Sequence, residues 1–412
     1  MGICASSRRV RQEEDSDENV VYVMDEQGGG GGADGDGHGR KVASLFSQKG
    51  KKGPNQDAVI LCQVRACTVA PPSTHRSACR RRRASVAPSV PPHPFPGFGM
   101  EDGVFCGVFD GHGRCGQFIS KLVRDYLPFM ILSHRNALLL RGSDDDDDDP
   151  VFSDASPAAS STDGSGRSSP NALAPAQLLE EWREACANAF QAMDKELKLQ
   201  ANVDCNFSGT TAVCAIKQGK DLIIANLGDS RAVLATMSET GYLKAVQLTT
   251  DQKPNVPQEA ERIKRSNGRV FALKDEPSVL RVWLPDEDCP GLAMARSLGD
   301  YRLKRHGVVS EPEVTHRRVA PGDLFIILAT DGVWDVLSNE EVVSIVCATP
   351  RKQHASKAVA EAAAQRWRTR YPASRVDDCS AVCLFLRDQQ DWASSVAVAK
   401  AKAAAARPPH GR

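Results

Sequence analysis

The chain has 412 residues, 41 % of them hydrophobic, and its 52 basic and 52 acidic side chains cancel to a formal net charge of zero. That balance argues against a bulk electrostatic nucleic-acid binder, which would carry a basic excess. No apolar run approaches the length of a membrane span, and the N-terminus lacks the apolar stretch of a secretory signal.

In chain order, Met1-Gly2-Ile3-Cys4-Ala5-Ser6 fits the N-myristoylation pattern, with Cys4 placed to take a second acyl anchor. Residues 1–41 are expected to be disordered, because the glycine and aspartate of 25–40 cannot offset the entropy of ordering. A single folded domain is expected over 42–387, with insertions at about 63–99 and 142–174 and an Ala-rich tail at 388–412. Ala58 to Leu61 reads as a strand. The stretch 63–99 holds Pro71-Pro72, the run Arg80 to Arg83 and a proline cluster at 91–96, a density that excludes the interior of a helix or strand. It reads as a surface insertion, either lineage-specific or a translated intron, and the arginine run as a solvated charge cluster or a contact for anionic lipid. Val104 to Phe109 is a continuous apolar run of strand length, as a strand buried on both faces should be.

Helical patterns follow at 115–132 and 176–200, flanking the six-aspartate, Ser/Pro/Gly-rich stretch 142–174. Strand-like runs cover 210–216, 222–227, 232–235, 324–329 and 381–386, and further helices 257–266, 339–348 and 354–368. Ser338 with Glu341 three residues on forms a capping box. The pattern predicts stacked sheets with helices outside and leaves the topology open. The 13 cysteines are odd in number, and Cys106, Cys214 and Cys383 lie in apolar runs, so a reduced, intracellular protein is expected.

Asp-Gly-His-Gly-Arg occurs twice, at 36–40 and at 110–114. The first copy sits in glycine-rich sequence, and an EF-hand over Asp34 and Asp36 fails because Leu45 stands where a glutamate is required. The second directly follows an apolar strand, which can hold Asp110 rigidly. Asp57, Asp229, Asp331 and Asp377-Asp378 also border apolar strand runs. Each by itself reads as a solvated turn residue. Five together imply a cluster, and clustered carboxylates require compensating positive charge. A pair of hard divalent cations, Mg²⁺ or Mn²⁺, suits all-oxygen ligation better than zinc does. His112 reads equally as an acid near that cluster or as a loop histidine capping the next helix.

Phe109-Asp110-Gly111-His112-Gly113, Ser208-Gly209-Thr210-Thr211-Ala212, Asn226 to Ala232, Gly291 to Asp300, Ala329 to Asp335 and Asp377-Asp378-Cys379-Ser380 occur in this order. With these blocks the chain resembles the metal-dependent serine/threonine protein phosphatases of the type 2C (PPM) family, plant members above all, over roughly 42–61, 100–136 and 176–387. The resemblance implies an α+β fold, a four-layer α-β-β-α sandwich of two antiparallel sheets flanked by helices. It implies a binuclear centre in which Asp110 bridges two ions, the Gly111 carbonyl, Asp331 and Asp377 complete the ligands, and Asp57 holds a bound water. Asp229, with Asp331 and Asp335, resembles a weaker third-metal site. His112 resembles the general acid, and Lys52 stands where many members carry a phosphate-binding arginine, keeping the charge without the bidentate fork. Gln56 replaces a glutamate common in the family.

The reaction implied is hydrolysis of phosphoserine and phosphothreonine by metal-activated water, with no phosphoenzyme. The alternative is a catalytically impaired relative serving as a phosphoprotein-binding scaffold. Expected partners are phosphorylated signalling proteins, with kinases as further candidates and no nucleic acid. A monomer is expected, cytoplasmic, with the plasma membrane (through Gly2 and Cys4) and the nucleus as alternative locations. Trp283, in the stretch that corresponds to the family's variable flap, reads as a substrate contact or as a buried flap residue.

Overall fold

The computed structural model describes residues 11–15, 19–24, 43–64, 103–141, 175–238, 240–372 and 376–387. Gly2, Cys4, the first Asp-Gly-His-Gly-Arg, the Arg80 to Arg83 run, the six-aspartate stretch and the tail lie outside the described residues.

Strands β1 (Arg11–Asp15), β2 (Asn19–Met24), β3 (Ala43–Gln48), β4 (Asp57–Val64) and β5 (Gly103–His112) come first, then helices α1 (Gly116–Arg141) and α2 (Pro175–Leu199). Next are β6 (Gly209–Thr210), β7 (Ala212–Gln218), β8 (Asp221–Leu227), β9 (Arg231–Met237), β10 (Leu243–Gln247) and α3 (Pro257–Arg265). Strands β11 (Arg269–Ala272), β12 (Leu280–Trp283), β13 (Pro290–Leu292) and β14 (Leu298–Gly299) lead to the short α4 (Tyr301–Lys304). The chain closes with β15 (Glu313–Arg318), β16 (Asp323–Ala329), α5 (Asp331–Trp334), α6 (Asn339–Ala348), α7 (Ala355–Arg370) and β17 (Cys379–Phe385).

One antiparallel sheet runs β1-β2-β3-β17-β16-β9-β10, and the other β14-β6-β5-β7-β8-β15 with β4 beside β5. Period-two alternation explains how they stack. Val104, Cys106 and Val108 of β5 pack against Leu45, Leu234, Ile326 and Leu328 of the facing sheet. Their neighbours Phe105 and Phe109 point the other way, onto Ile119, Val123 and Leu127 of α1 and Trp182 and Phe190 of α2. On the opposite outer face Phe325 and Ile327 meet Val342 and Val346 of α6 and Val359 and Ala363 of α7. These contacts build the four-layer sandwich that the resemblance implied. A smaller sheet, β11-β12-β13, joins α3 and α4 around Ile263, Val282 and Leu303.

Several expectations need correction. Strands β1 and β2 fall within the segment expected to be disordered, and β2 pairs with β3. The β-branched run Val20-Val21 and Val23 supports a strand there, whatever the glycine-rich sequence that follows. Strand β4 continues to Val64 and pairs it with Gly103, so the first residues of the expected insertion belong to the sheet. Helix α1 runs past 132 through Pro128 to Arg141. The Ser338–Glu341 capping box forms as expected. Trp283 is a buried flap residue: its ring stacks on Phe271 at 4.9 Å and its Nε1–H donates to the Phe271 carbonyl at 3.0 Å.

Phe105 is fully buried between β5 and the helices. Phe105→Ala is expected to cost about 3–5 kcal/mol in urea unfolding, the range for an aromatic side chain truncated in a packed core.

Candidate active site

The register of the strands sets which carboxylates can meet. Ala329, at the end of β16, pairs with Ala381 of β17 on one side and Arg231 of β9 on the other. Asp331, Asp377 and Asp229 therefore stand just beyond one edge of one sheet. In the facing sheet Asp57 lies directly opposite Asp110 in the β4–β5 pair. The sheets pack face to face, so their edges bring the two sets together. The charges of Asp331 and Asp377 act on Asp110, and that of Asp377 also acts on Asp57 and Asp331.

Burial and repulsion dominate the electrostatics. Desolvation, then the charges of Asp378 and Asp377, push Asp57 up to about 8, against the pull of the Ser380 and Thr330 hydroxyls. Thr330 Oγ1 donates to Asp57 Oδ2 at 3.0 Å. Asp110 and Asp331 lie well above the ordinary carboxylate range, first through desolvation and then through neighbouring aspartates. Asp229 is raised by burial, with Lys253 opposing.

Two ammonium groups reach this cluster. Lys52 ion-pairs with Asp377, although its side chain is 53 % exposed. Burial lowers its pKa, but Asp377 outweighs that and the net shift is upward. The lysine expected to hold phosphate thus rests on a carboxylate expected to hold metal. Lys253 Nζ stands 3.6 Å from Asp229 and 3.3 Å from Asp335.

As the side chains stand, no group of three or more His, Cys, Asp or Glu is arranged to hold a metal ion among the described residues. The ammonium groups of Lys52 and Lys253 lie against Asp377, Asp229 and Asp335 as counter-charge. The donor chemistry still fits a hard divalent cation. Every candidate ligand is oxygen, and both carboxylate oxygens of Asp229 are buried without a hydrogen-bond partner.

The loop after Asp110 is held by close backbone packing. A Cβ on Gly111 would lie 2.4 Å from the Gly116 carbonyl and 2.6 Å from that of Gln56. Gln56 binds this loop: its Nε2–H donates to the Gly113 carbonyl at 2.8 Å, and its own carbonyl accepts from Ser120 at 2.6 Å. The residue that replaces the family's common glutamate is here a structural clamp.

His112 feels the charge of Asp229, but its hydrogen-bond partner is another carboxylate. Its Nε2 pairs with Asp300 Oδ2 at 2.7 Å. Burial lowers its pKa, but the Asp300 carboxylate more than offsets this and raises it overall. Sequence reasoning missed Asp300, Lys253 and the clamp made by Asp378, which accepts from the Gly50 and Gln56 backbone N–H groups at 2.6 and 2.8 Å. Asp300 closes the block Gly291 to Asp300 and Asp378 lies within Asp377 to Ser380, so position in those blocks was the available signal, whereas Lys253, just ahead of α3, carried none. Burial pushes the thiols of Cys62, Cys106 and Cys186 up to about 12, so they stay neutral and none suits a nucleophile.

A two-sheet sandwich with buried carboxylates gathered where the sheets face each other offers an all-oxygen site suited to a hard divalent cation. The protein phosphatase 2C family model matches residues 159–376, beginning after Asp110 and ending just before Asp377. A probable protein phosphatase 2C 12 of Oryza sativa subsp. japonica is 69 % identical over 94 % of this chain and 92 % of its own length. A probable protein phosphatase 2C 33 of Arabidopsis thaliana is 43 % identical over 87 % of this chain and 70 % of its own. Among solved structures, the serine-threonine phosphatase 2C from Toxoplasma gondii matches with a TM-score of 0.62 at 23 % identity, covering 84 % of this chain and 95 % of that one, which bears on the fold. The chain belongs to the protein phosphatase 2C family, as a plant-type member. It is a protein phosphatase of a metal-dependent family, and phosphorylated proteins are its substrates.

Asp57 titrates near 3.8 in an ordinary setting and near 8 in the fold. The folded state therefore binds the extra proton between those values, and its stability falls as pH rises through that window. In chelator the melting temperature is expected to drop between about pH 5 and about pH 8, and saturating Mg²⁺ or Mn²⁺ should flatten the decline. A melting temperature that rises with pH in chelator would contradict the crowding described here.

Proposed function

We propose that this phosphatase cleaves phosphoserine and phosphothreonine by direct attack of water on phosphorus, through two divalent ions, Mg²⁺ or Mn²⁺, and without a phosphoenzyme. The reading rests on the convergence of Asp57, Asp110, Asp331 and Asp377 from two facing sheets onto one oxygen-only site. Asp110, the Gly111 carbonyl, Asp331 and Asp377 would hold the two ions, with Asp57 behind them, and Asp229 and Asp335 would contribute to a weaker third site. When bound, the ions lower the pKa of a water and polarise the phosphoryl oxygens.

The remaining chemistry belongs to the chain. Lys52 offers its ammonium to the phosphoryl oxygens as a point charge, without the directed fork of an arginine. Water forms the new P–O bond while the bond to the serine or threonine oxygen breaks. That oxygen leaves with the bonding pair and takes a proton from His112, giving a free hydroxyl side chain and inorganic phosphate. The raised pKa of His112 favours the protonated ring this step needs.

Kinases that act on the same proteins are proposed as further partners in signalling, and the chain is proposed to act as a monomer in the cytoplasm. The pattern Met1-Gly2-Ile3-Cys4-Ala5-Ser6 supports acylation at Gly2 and Cys4 and peripheral attachment to the plasma membrane, with the nucleus as an alternative site.

Hydrolysis of a phosphothreonine peptide with Mn²⁺ or Mg²⁺ tests the reading. Chelator should abolish turnover, and Asp110→Asn should lower kcat by more than about 10²-fold, beyond the loss typical of a residue that only supports a ligand. Turnover that persists in chelator or in that variant refutes it.

A further inference from the structure

We infer that Asp300 is the positioning residue for His112, fixing the imidazole through Nε2. The inference rests on the acid role proposed for His112. Nε2 and Asp300 Oδ2 are 2.7 Å apart, whereas His112 Nδ1 is buried and has no hydrogen-bond partner.

Asp300 is held in place from several directions. It is 1 % exposed, and its φ of 53° lies in the left-handed region, which residues other than glycine, asparagine and aspartate seldom visit. Ser297 Oγ donates to the same Oδ2 at 2.6 Å, and the Asp300 backbone N–H donates to the Ser208 carbonyl at 3.1 Å. The preceding Gly299 N–H donates to Asp194 Oδ1 of α2 at 2.9 Å. Gly209 completes the enclosure: a Cβ there would lie 2.3 Å from Asp300 Oδ2 and 2.9 Å from His112 Nε2.

This arrangement is costly as mere packing. Asp300 Oδ1 is buried without a partner, and an unpaired buried carboxylate oxygen destabilises a fold. An underused buried carboxylate makes sense where a ring must be aimed. Alkoxide leaving groups need a proton as they depart, and a ring displaced by about 1 Å loses on the order of 10²-fold in rate.

The test compares two leaving groups. Nitrophenolate departs without help, whereas the oxygen of a phosphothreonine peptide requires a proton. Asp300→Gly removes the carboxylate while tolerating the left-handed backbone. It should lower kcat on the peptide about 10²-fold, with KM little changed and turnover of p-nitrophenyl phosphate nearly intact. Asp300→Asn, whose amide oxygen can still accept Nε2–H, should recover much of the peptide activity. His112→Asn should show the same leaving-group selectivity, and adding Asp300→Gly to it should cost no more.

If His112→Asn lacks that selectivity, the acid role itself fails. If His112→Asn shows it and Asp300→Gly does not, the acid role stands and the positioning inference is overturned. Nitrogen-15 NMR of the wild-type protein reads the same geometry without relying on a variant's folding. The neutral His112 ring should carry its proton on Nε2, and a proton on Nδ1 would overturn the inference.

Discussion

The site depends on carboxylates that repel one another and are kept together by the sheets beneath them. Asp57 and Asp110 are fixed by pairing within one sheet, and Asp331, Asp377 and Asp229 by the common edge of the other. Asp110 cannot retreat into water without unpairing a strand that has neighbours on both sides. The repulsion is therefore met by bringing positive charge in. The fold does this with the ammonium groups of Lys52 and Lys253. Divalent ions would do the same more completely, which is why an all-oxygen cluster of this charge belongs to a metal-dependent enzyme.

The supporting structure is correspondingly rigid. Gln56 and Asp378 bind backbone from both sides of the site, one through the Gly113 carbonyl and the other through the Gly50 and Gln56 N–H groups. Farther out, Glu259 of α3 accepts from Arg262 at 2.6 Å and from Arg296 at 2.6 Å. That pairing ties the small β11-β12-β13 module to the segment leading to Asp300.

The central strands and most helices were legible because continuous apolar runs and capping signals are local. The aspartates were legible for a related reason: each borders such a run. What could not be read was pairing between residues remote in sequence. His112 and Asp300 are separated by 188 positions and meet only because β5 and the segment after β14 converge near Gly209. Lys253 carries no sign in its own segment that it will face Asp229. Strand β15, Glu-Val-Thr-His-Arg-Arg, was missed because an edge strand carries polar residues rather than an apolar run. Strand β2 was missed for the opposite reason, since its valines are flanked by sequence too poor in hydrophobic residues to suggest order.

The β4–β5 ladder has one further consequence. Asp57 faces Asp110 at one end, and Val64 faces Gly103 at the other. Seven residue steps of about 3.4 Å put those ends roughly 24 Å apart. Chain length added between Val64 and Gly103 therefore enters the molecule at the pole opposite the reacting groups. A change in the length of that connection therefore need not alter the Asp57–Asp110 pairing.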